Sequence, residues 1–282
     1  MAMPTAAAQT LTTAGSARHA SGWSSASLGR RALPRVAISF PVRLHVTGLA
    51  GSLEARARDV GAGGVCVATP SPFAVSDLRA VTLLTPNGRV DLGAEARWQH
   101  EVSGEDGFFT GLRFLEVPDG PLELLWDLVH ERTKSLTRWL LQQPDFSGLG
   151  VQDNLEIAQV TRLREVRAGG LLYRQGSPED SIFVVTCGEI VFELCTPRQR
   201  KRTLGRVGPG HLVGGLGLVA NSLPGETAIA DRDVSLLEIS RGAFENLQAA
   251  NPALAFHVAS LVVNGQLRRM ETALGRWIDE DR

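Results

Sequence analysis

Arg31 and Arg35 stand four residues apart in the segment RRALPR, and Asp59 opens the tight stretch DVGAGG, with Gly61 two positions and Gly64 five positions behind it. A guanidinium is a planar fork that bonds two phosphate oxygens at once and also lies flat on an aromatic face. An ionised aspartate only accepts hydrogen bonds, so it suits a base edge that presents N–H donors. Arginines and acid together describe a site for an anion with aromatic faces. The charge distribution points the same way. Residues 1–58 hold seven arginines against one acid, Glu54, a formal +6 in a chain whose net charge is −1. An anion is drawn to that end, whereas the near-neutral whole is not an electrostatic nucleic-acid binder.

Other chemistries lack their residues. Cys66, Cys187 and Cys195 are an odd set with no CxxC pair, which argues against a disulfide framework and a zinc site. The six histidines (19, 45, 100, 130, 211 and 257) have no metal-ligand spacing, and no metal is expected. No nucleophile elbow, zinc-protease, P-loop or EF-hand pattern occurs, so the protein is not expected to be an enzyme and no catalytic residue is assigned. No apolar run approaches the ~20 residues of a membrane-spanning helix. Residues 1–28 have neither the charged start nor the apolar core of a secretory signal and read as a disordered arm. A cytoplasmic location follows as the expectation.

The elements that must position the arginines are β-strands. Val36, Ile38, Phe40, Val42, Leu44 and Val46 alternate with small or polar residues, the pattern of a half-buried strand, and Pro41 should interrupt its ladder. Further short strands follow at Val65–Thr69, at Ala80–Leu84, in the alternation from Val90 to Trp98 and around FFTGLRF. They are separated by Pro70-Ser71-Pro72, Asn87-Gly88 and Gly104–Gly107. That rhythm predicts a small barrel. Leu122, Leu125, Trp126, Val129, Leu136, Trp139 and Leu140 have helical spacing from about Pro121 to Gln142. Pro144 to Gly150 reads as a hinge, then a short helix over about 151–160, a second Gly- and Pro-punctuated β body, and two last helices near Arg241–Ala250 and Pro252–Trp277.

The arginine pair before a strand, the Asp59…Gly64 turn, Trp98 and the Gly111-Leu112-Arg113-Phe114 strand together resemble a PilZ domain, over about residues 29–140. Proteins of that family bind cyclic di-GMP. The resemblance implies that Arg31 and Arg35 hold phosphates and stack on guanine while the turn of Asp59, Gly61 and Gly64 meets a guanine edge. Gly61 stands where the family has serine. A neutral hydrogen bond contributes roughly 0.5–1.5 kcal/mol net, so its loss weakens binding about tenfold at most.

Residues 148–278 resemble the β-roll that binds cyclic nucleotides: Gly176, Asp180 and Gly188 lie at its spacing in LLYRQGSPEDSIFVVTCGEI, and GPGHLVGGLGLV resembles the approach to its phosphate cassette. In that family a Phe-Gly-Glu triplet holds the ribose and an Arg-[Ser/Thr]-Ala triplet the phosphate. Here Val213-Gly214-Gly215 and Glu226-Thr227-Ala228 stand there, so the pocket is degenerate. Glu226 at a phosphate's place would repel it by about 4 kcal/mol at ~4 Å and an effective dielectric near 20. Gly214 and Gly215 either offer backbone N–H groups to some anion or only shape a turn.

The expected architecture is mainly β: residues 1–28 an arm, 29–140 a PilZ-type antiparallel barrel, 141–150 a linker, and 151–282 a cyclic-nucleotide-binding jelly-roll with flanking helices. The basic run 198–202 reads as a hairpin tip. Ala253, Phe256, Ser260, Val263, Leu267, Met270, Leu274 and Trp277 form a heptad seam in the last helix. It either pairs two copies as a homodimer through 252–278 or packs on its own barrel. Because the sequence stops at Arg282, directly after that helix, DNA is not an expected partner. Ligand should fold residues 28–36 onto the barrel and change how it meets its neighbour across 140–150, signalling to an output protein. The rival expectations are a ligand-free interaction scaffold and a sensor whose β-roll takes another nucleotide.

Overall fold

A computed structural model describes residues 35–102, 107–195 and 201–280 of the chain. Arg31, the arm 1–28, the turn glycine Gly104 and the basic run up to Arg200 lie outside the described residues. In β2 (Pro41–Val46) the expected alternation is realised, with Val42, Leu44 and Val46 buried and Pro41, Arg43 and His45 facing out. The break expected at Pro41 splits the predicted strand. β1 (Arg35–Ala37) ends before it, and Pro41 is the first residue of β2, where its missing N–H does least harm.

β3 (Leu53–Gly61), β4 (Gly64–Thr69), β5 (Leu78–Thr85), β6 (Gly88–Glu101) and β7 (Phe108–Phe114) follow. The order β3-β2-β5-β6-β7-β4 is closed by pairing of β4 with β3 into a six-stranded antiparallel barrel, and β1 lies along β3. α1 (Asp119–Leu141) buries Leu125, Val129, Leu136 and Leu140 of the stripe read from the sequence and also Leu128, while Leu122, Trp126 and Trp139 are half-buried. After α2 (Val151–Val160) comes the second β body. It has one sheet of order β13-β10-β15-β8 and another of order β12-β11-β14-β9. These are β8 (Arg162–Val166), β9 (Leu171–Tyr173), β10 (Ser181–Cys187), β11 (Ile190–Cys195), β12 (Lys201–Val207), β13 (Leu212–Gly214), β14 (Thr227–Ala230) and β15 (Val234–Ser240). α3 (Leu216–Val219), α4 (Arg241–Ala250) and α5 (Pro252–Glu280) flank them.

The stretch expected as a hinge is anchored rather than loose. Phe146 is buried in a core cluster that also holds Val36 and Val42 of the barrel and Ile182 and Leu237 of the roll. Asp145 is buried too, accepting from Leu212 N–H at 2.9 Å and from Arg268 Nη2 at 2.7 Å. Burial works against its charge, but His211, whose Nδ1 lies 3.6 Å from Asp145 Oδ2, the Leu212 N–H and Arg268 hold its carboxyl below the usual range. The two domains also meet directly, Arg58 Nη1 of β3 bonding Glu165 Oε2 of β8 at 2.8 Å.

Among the described side chains, which leave out Trp277, the apolar residues of the heptad stripe on α5 from Phe256 to Leu274 do not pack on their own barrel. Phe256, Val263, Leu267, Met270 and Leu274 are exposed, Phe256 at 69%. The residues α5 does bury, Leu254, Val258, Val262 and Ala273, lie on another face.

Candidate nucleotide site

β1 and β3 pair antiparallel with Arg35 opposite Gly61 and Ala37 opposite Asp59. Arg35 and Asp59 are therefore diagonal neighbours on one face, within reach of a long side chain. Arg35 Nη1 donates to Asp59 Oδ1 at 2.7 Å, with Asp59 buried and Arg35 partly exposed. Gly61 and Gly64 face each other across the hairpin between β3 and β4. Gly64 has a steric reason to be glycine: a Cβ there would lie 2.2 Å from the Leu112 carbonyl oxygen and 2.7 Å from Arg35 Nη2. Gly64→Ala should push Arg35 off Asp59 and cost about 1–3 kcal/mol of stability, read as a lower midpoint in urea unfolding. An unchanged midpoint would mean that the hairpin yields freely.

Trp98 and Gly111 of the quoted motif are one device. A Cβ on Gly111 would fall 2.3 Å from the Trp98 ring, so the missing side chain seats the indole on the backbone of β7. Trp98 also stacks on His100, ring centres 4.8 Å apart. Opposite Asp59 on β4 is Cys66, buried, with burial pushing its thiol up, so it stays neutral. Arg35, Asp59 and Trp98 line a cavity of about 110 Å³ whose other wall is the second domain, with Thr161, Arg162 and Glu238. The sequence singled out Arg35, Asp59, Gly61 and Gly64, and the structure brings these four together. It did not single out Arg162 and Glu238, which no spacing connects to the first domain.

In the second domain the expectation for Glu226 needs correction. The carboxylate does not stand bare at a phosphate's place, because the protein supplies its partners. Tyr173 donates to Glu226 Oε1 at 3.3 Å, Gln266 Nε2 of α5 donates to Oε2 at 2.8 Å, and Arg269 Nη2 of α5 lies 3.4 Å away. The Arg269 guanidinium sits 4.5 Å over the Phe192 ring, inside the roll. Thr227 Oγ1 accepts the Gln175 N–H at 3.0 Å. Gly214 and Gly215 have φ of 76° and 91°, the left-handed region that favours glycine. The backbone N–H groups of Gly215 and Gly217 already bond the buried carboxyl group of Glu179. A Cβ on Gly214 would lie 1.9 Å from Glu179 Oε1. Sequence reading missed Glu179, Gln266 and Arg269 because each acts on residues roughly 35–45 positions away with no periodic signal.

Burial, with Glu226 nearby, raises the Glu179 pKa from 4.5 to about 7. The native carboxyl thus keeps its proton where the unfolded one has lost it. Stability from this group is full below about pH 4.5 and is lost as pH rises to about 7. Glu179→Gln should therefore stabilise the chain at pH 8, on the order of 3 kcal/mol, and much less at pH 5. Urea unfolding at the two pH values reads this, and an equal effect at both would contradict it.

Comparison with known proteins places both halves. The PilZ domain family matches residues 29–131 and the cyclic nucleotide-binding domain family residues 163–251. The chain carries a PilZ domain followed by a cyclic nucleotide-binding domain. Relatives include the lysophospholipase nte1 of Aspergillus fumigatus, 27% identical over 79% of this chain and 14% of that protein. A cyclic nucleotide-gated potassium channel of Mesorhizobium japonicum is 31% identical over 40% of this chain and 30% of the channel. This chain thus spans a minor part of the relatives it matches. Among solved structures, a cyclic nucleotide-binding domain from Methylobacillus flagellatus is 16% identical, with a TM-score of 0.46, over 53% of this chain and 84% of that one.

Proposed function

We propose that this protein is a cyclic di-GMP receptor whose ligand is held by Arg31, Arg35 and Asp59, on a turn shaped by Gly61 and Gly64. The observation that carries the reading is the Arg35–Asp59 pair at 2.7 Å, packed against Gly64 at the edge of a polar cavity. Arg35 keeps donors beyond the one on Asp59 for phosphate or a guanine face, and Asp59 keeps an oxygen for guanine N–H groups. No step here makes or breaks a covalent bond, so we read the chain as a receptor and not an enzyme, working in the cytoplasm. Among the described residues no helix is long and apolar enough to cross a membrane, and no cluster of His, Cys, Asp and Glu could hold a metal.

The β-roll, in this reading, is an output or dimerisation module. Its pocket is filled by Arg269 and Gln266 from α5, and its anion-binding amides are spent on Glu179. The exposed seam of α5 suits a second copy of the chain, which sedimentation would show as a dimer. Thermal melts with cyclic di-GMP, cyclic AMP and cyclic GMP test the whole reading. We expect a raised melting temperature with the first alone. A rise with cyclic AMP in its place would overturn it.

A further inference from the structure

We propose that the cyclic di-GMP site is shared between the domains and that Arg162, on β8 of the cyclic nucleotide-binding domain, is its additional guanidinium ligand. The inference rests on the cyclic di-GMP reading and extends it to a residue outside the PilZ domain. Arg162 lines the same cavity as Arg35, Asp59 and Trp98. It is held for that role from two sides. Its Nε and Nη2 fork onto Glu238 at 3.0 and 3.1 Å, and its guanidinium lies 5.1 Å over the ring of Phe109 of the barrel. Glu238 is fixed in turn by Ser181 Oγ at 2.5 Å and by Arg164 Nη1 at 3.7 Å. A donor held this way loses little freedom on binding. Among the described residues nothing bonds its Nη1, and the side chain remains 19% exposed.

Donors and size agree. In the cavity lining Arg35 and Arg162 balance Asp59 and Glu238, and each guanidinium keeps donors beyond those on its acid for a phosphate to meet. The cavity of about 110 Å³ is below the ~300–1,000 Å³ of small-molecule pockets, so it takes one edge of a cyclic dinucleotide while the rest lies outside it. A ligand touching Arg35 on one domain and Arg162 on the other distinguishes arrangements of the two domains, and only such differential contact lets it shift them.

The test is calorimetric titration of the full chain with cyclic di-GMP. Arg162→Ala should weaken binding roughly tenfold or more, the effect of one lost charge-assisted bond. That variant leaves Glu238 buried with fewer partners. The double variant Arg162→Met with Glu238→Gln removes both charges at similar volume and should show the same loss. Arg164→Met, which also faces Glu238 but does not line the cavity, should bind within twofold of wild type. If the double variant melts like wild type and binds as tightly, Arg162 is no ligand, although the receptor reading stands. A loss in Arg164→Met equal to that in Arg162→Ala also overturns the proposal, because the effect then runs through Glu238. If wild type itself does not bind, the receptor reading fails and this inference with it.

Discussion

Arg35→Ala should lower the affinity for cyclic di-GMP by about a hundredfold. A hydrogen bond to a charged group contributes roughly 1.5–3 kcal/mol, and the guanidinium has donors for two on the ligand. The substitution also frees Asp59, which is buried and bonded to Arg35 at 2.7 Å. The loss therefore combines missing phosphate contacts with a guanine acceptor that is no longer aimed. Arg35→Lys keeps the charge and loses the fork, so it should recover only part of the affinity. Calorimetry on both variants reads the effect, with far-ultraviolet circular dichroism confirming an unchanged fold. Binding within threefold of wild type in a folded Arg35→Ala protein would remove Arg35 from the site.

The second large effect is on stability. Arg269→Ala should cost about 3 kcal/mol, because among the described residues it leaves the buried Glu226 with Tyr173 and Gln266 as its partners. The figure is at the low end for a broken buried pair because the contact is 3.4 Å and not a two-pronged fork. The loss of the guanidinium stacked on Phe192 adds to it. Arg269→Met with Glu226→Gln removes both charges and should recover most of the stability, since a buried pair replaced as a unit is often neutral. Urea unfolding measures both. A single variant as stable as wild type would show that water reaches Glu226, and the roll would then not be filled by its own helix.

The barrel was legible because its strands carry their own periodicity. Val42, Leu44 and Val46 alternate, Pro41 marks the break between β1 and β2, and Gly61 and Gly64 bracket a hairpin. The Arg35–Asp59 pair was legible in residue type, and the register of β1 on β3 turns that into contact. On α5 the seam was visible as a heptad pattern, but its exposure was not. A 29-residue helix carries two apolar faces, and spacing alone does not say which one meets the roll. Glu226 was read as an unmatched charge because its cation, Arg269, lies 43 positions later on another element. The cavity was hidden for a similar reason. Arg162 reaches Phe109 and the Arg35 site only because α1 and α2 fold the roll back against the barrel, and no local pattern records that.

Titrating the intact wild-type chain with cyclic di-GMP in a calorimeter tests the central claim most directly. The account predicts saturable heat that diminishes with added salt, as expected for guanidinium groups meeting a dianion. A flat titration at saturating nucleotide, with the protein folded, would contradict it.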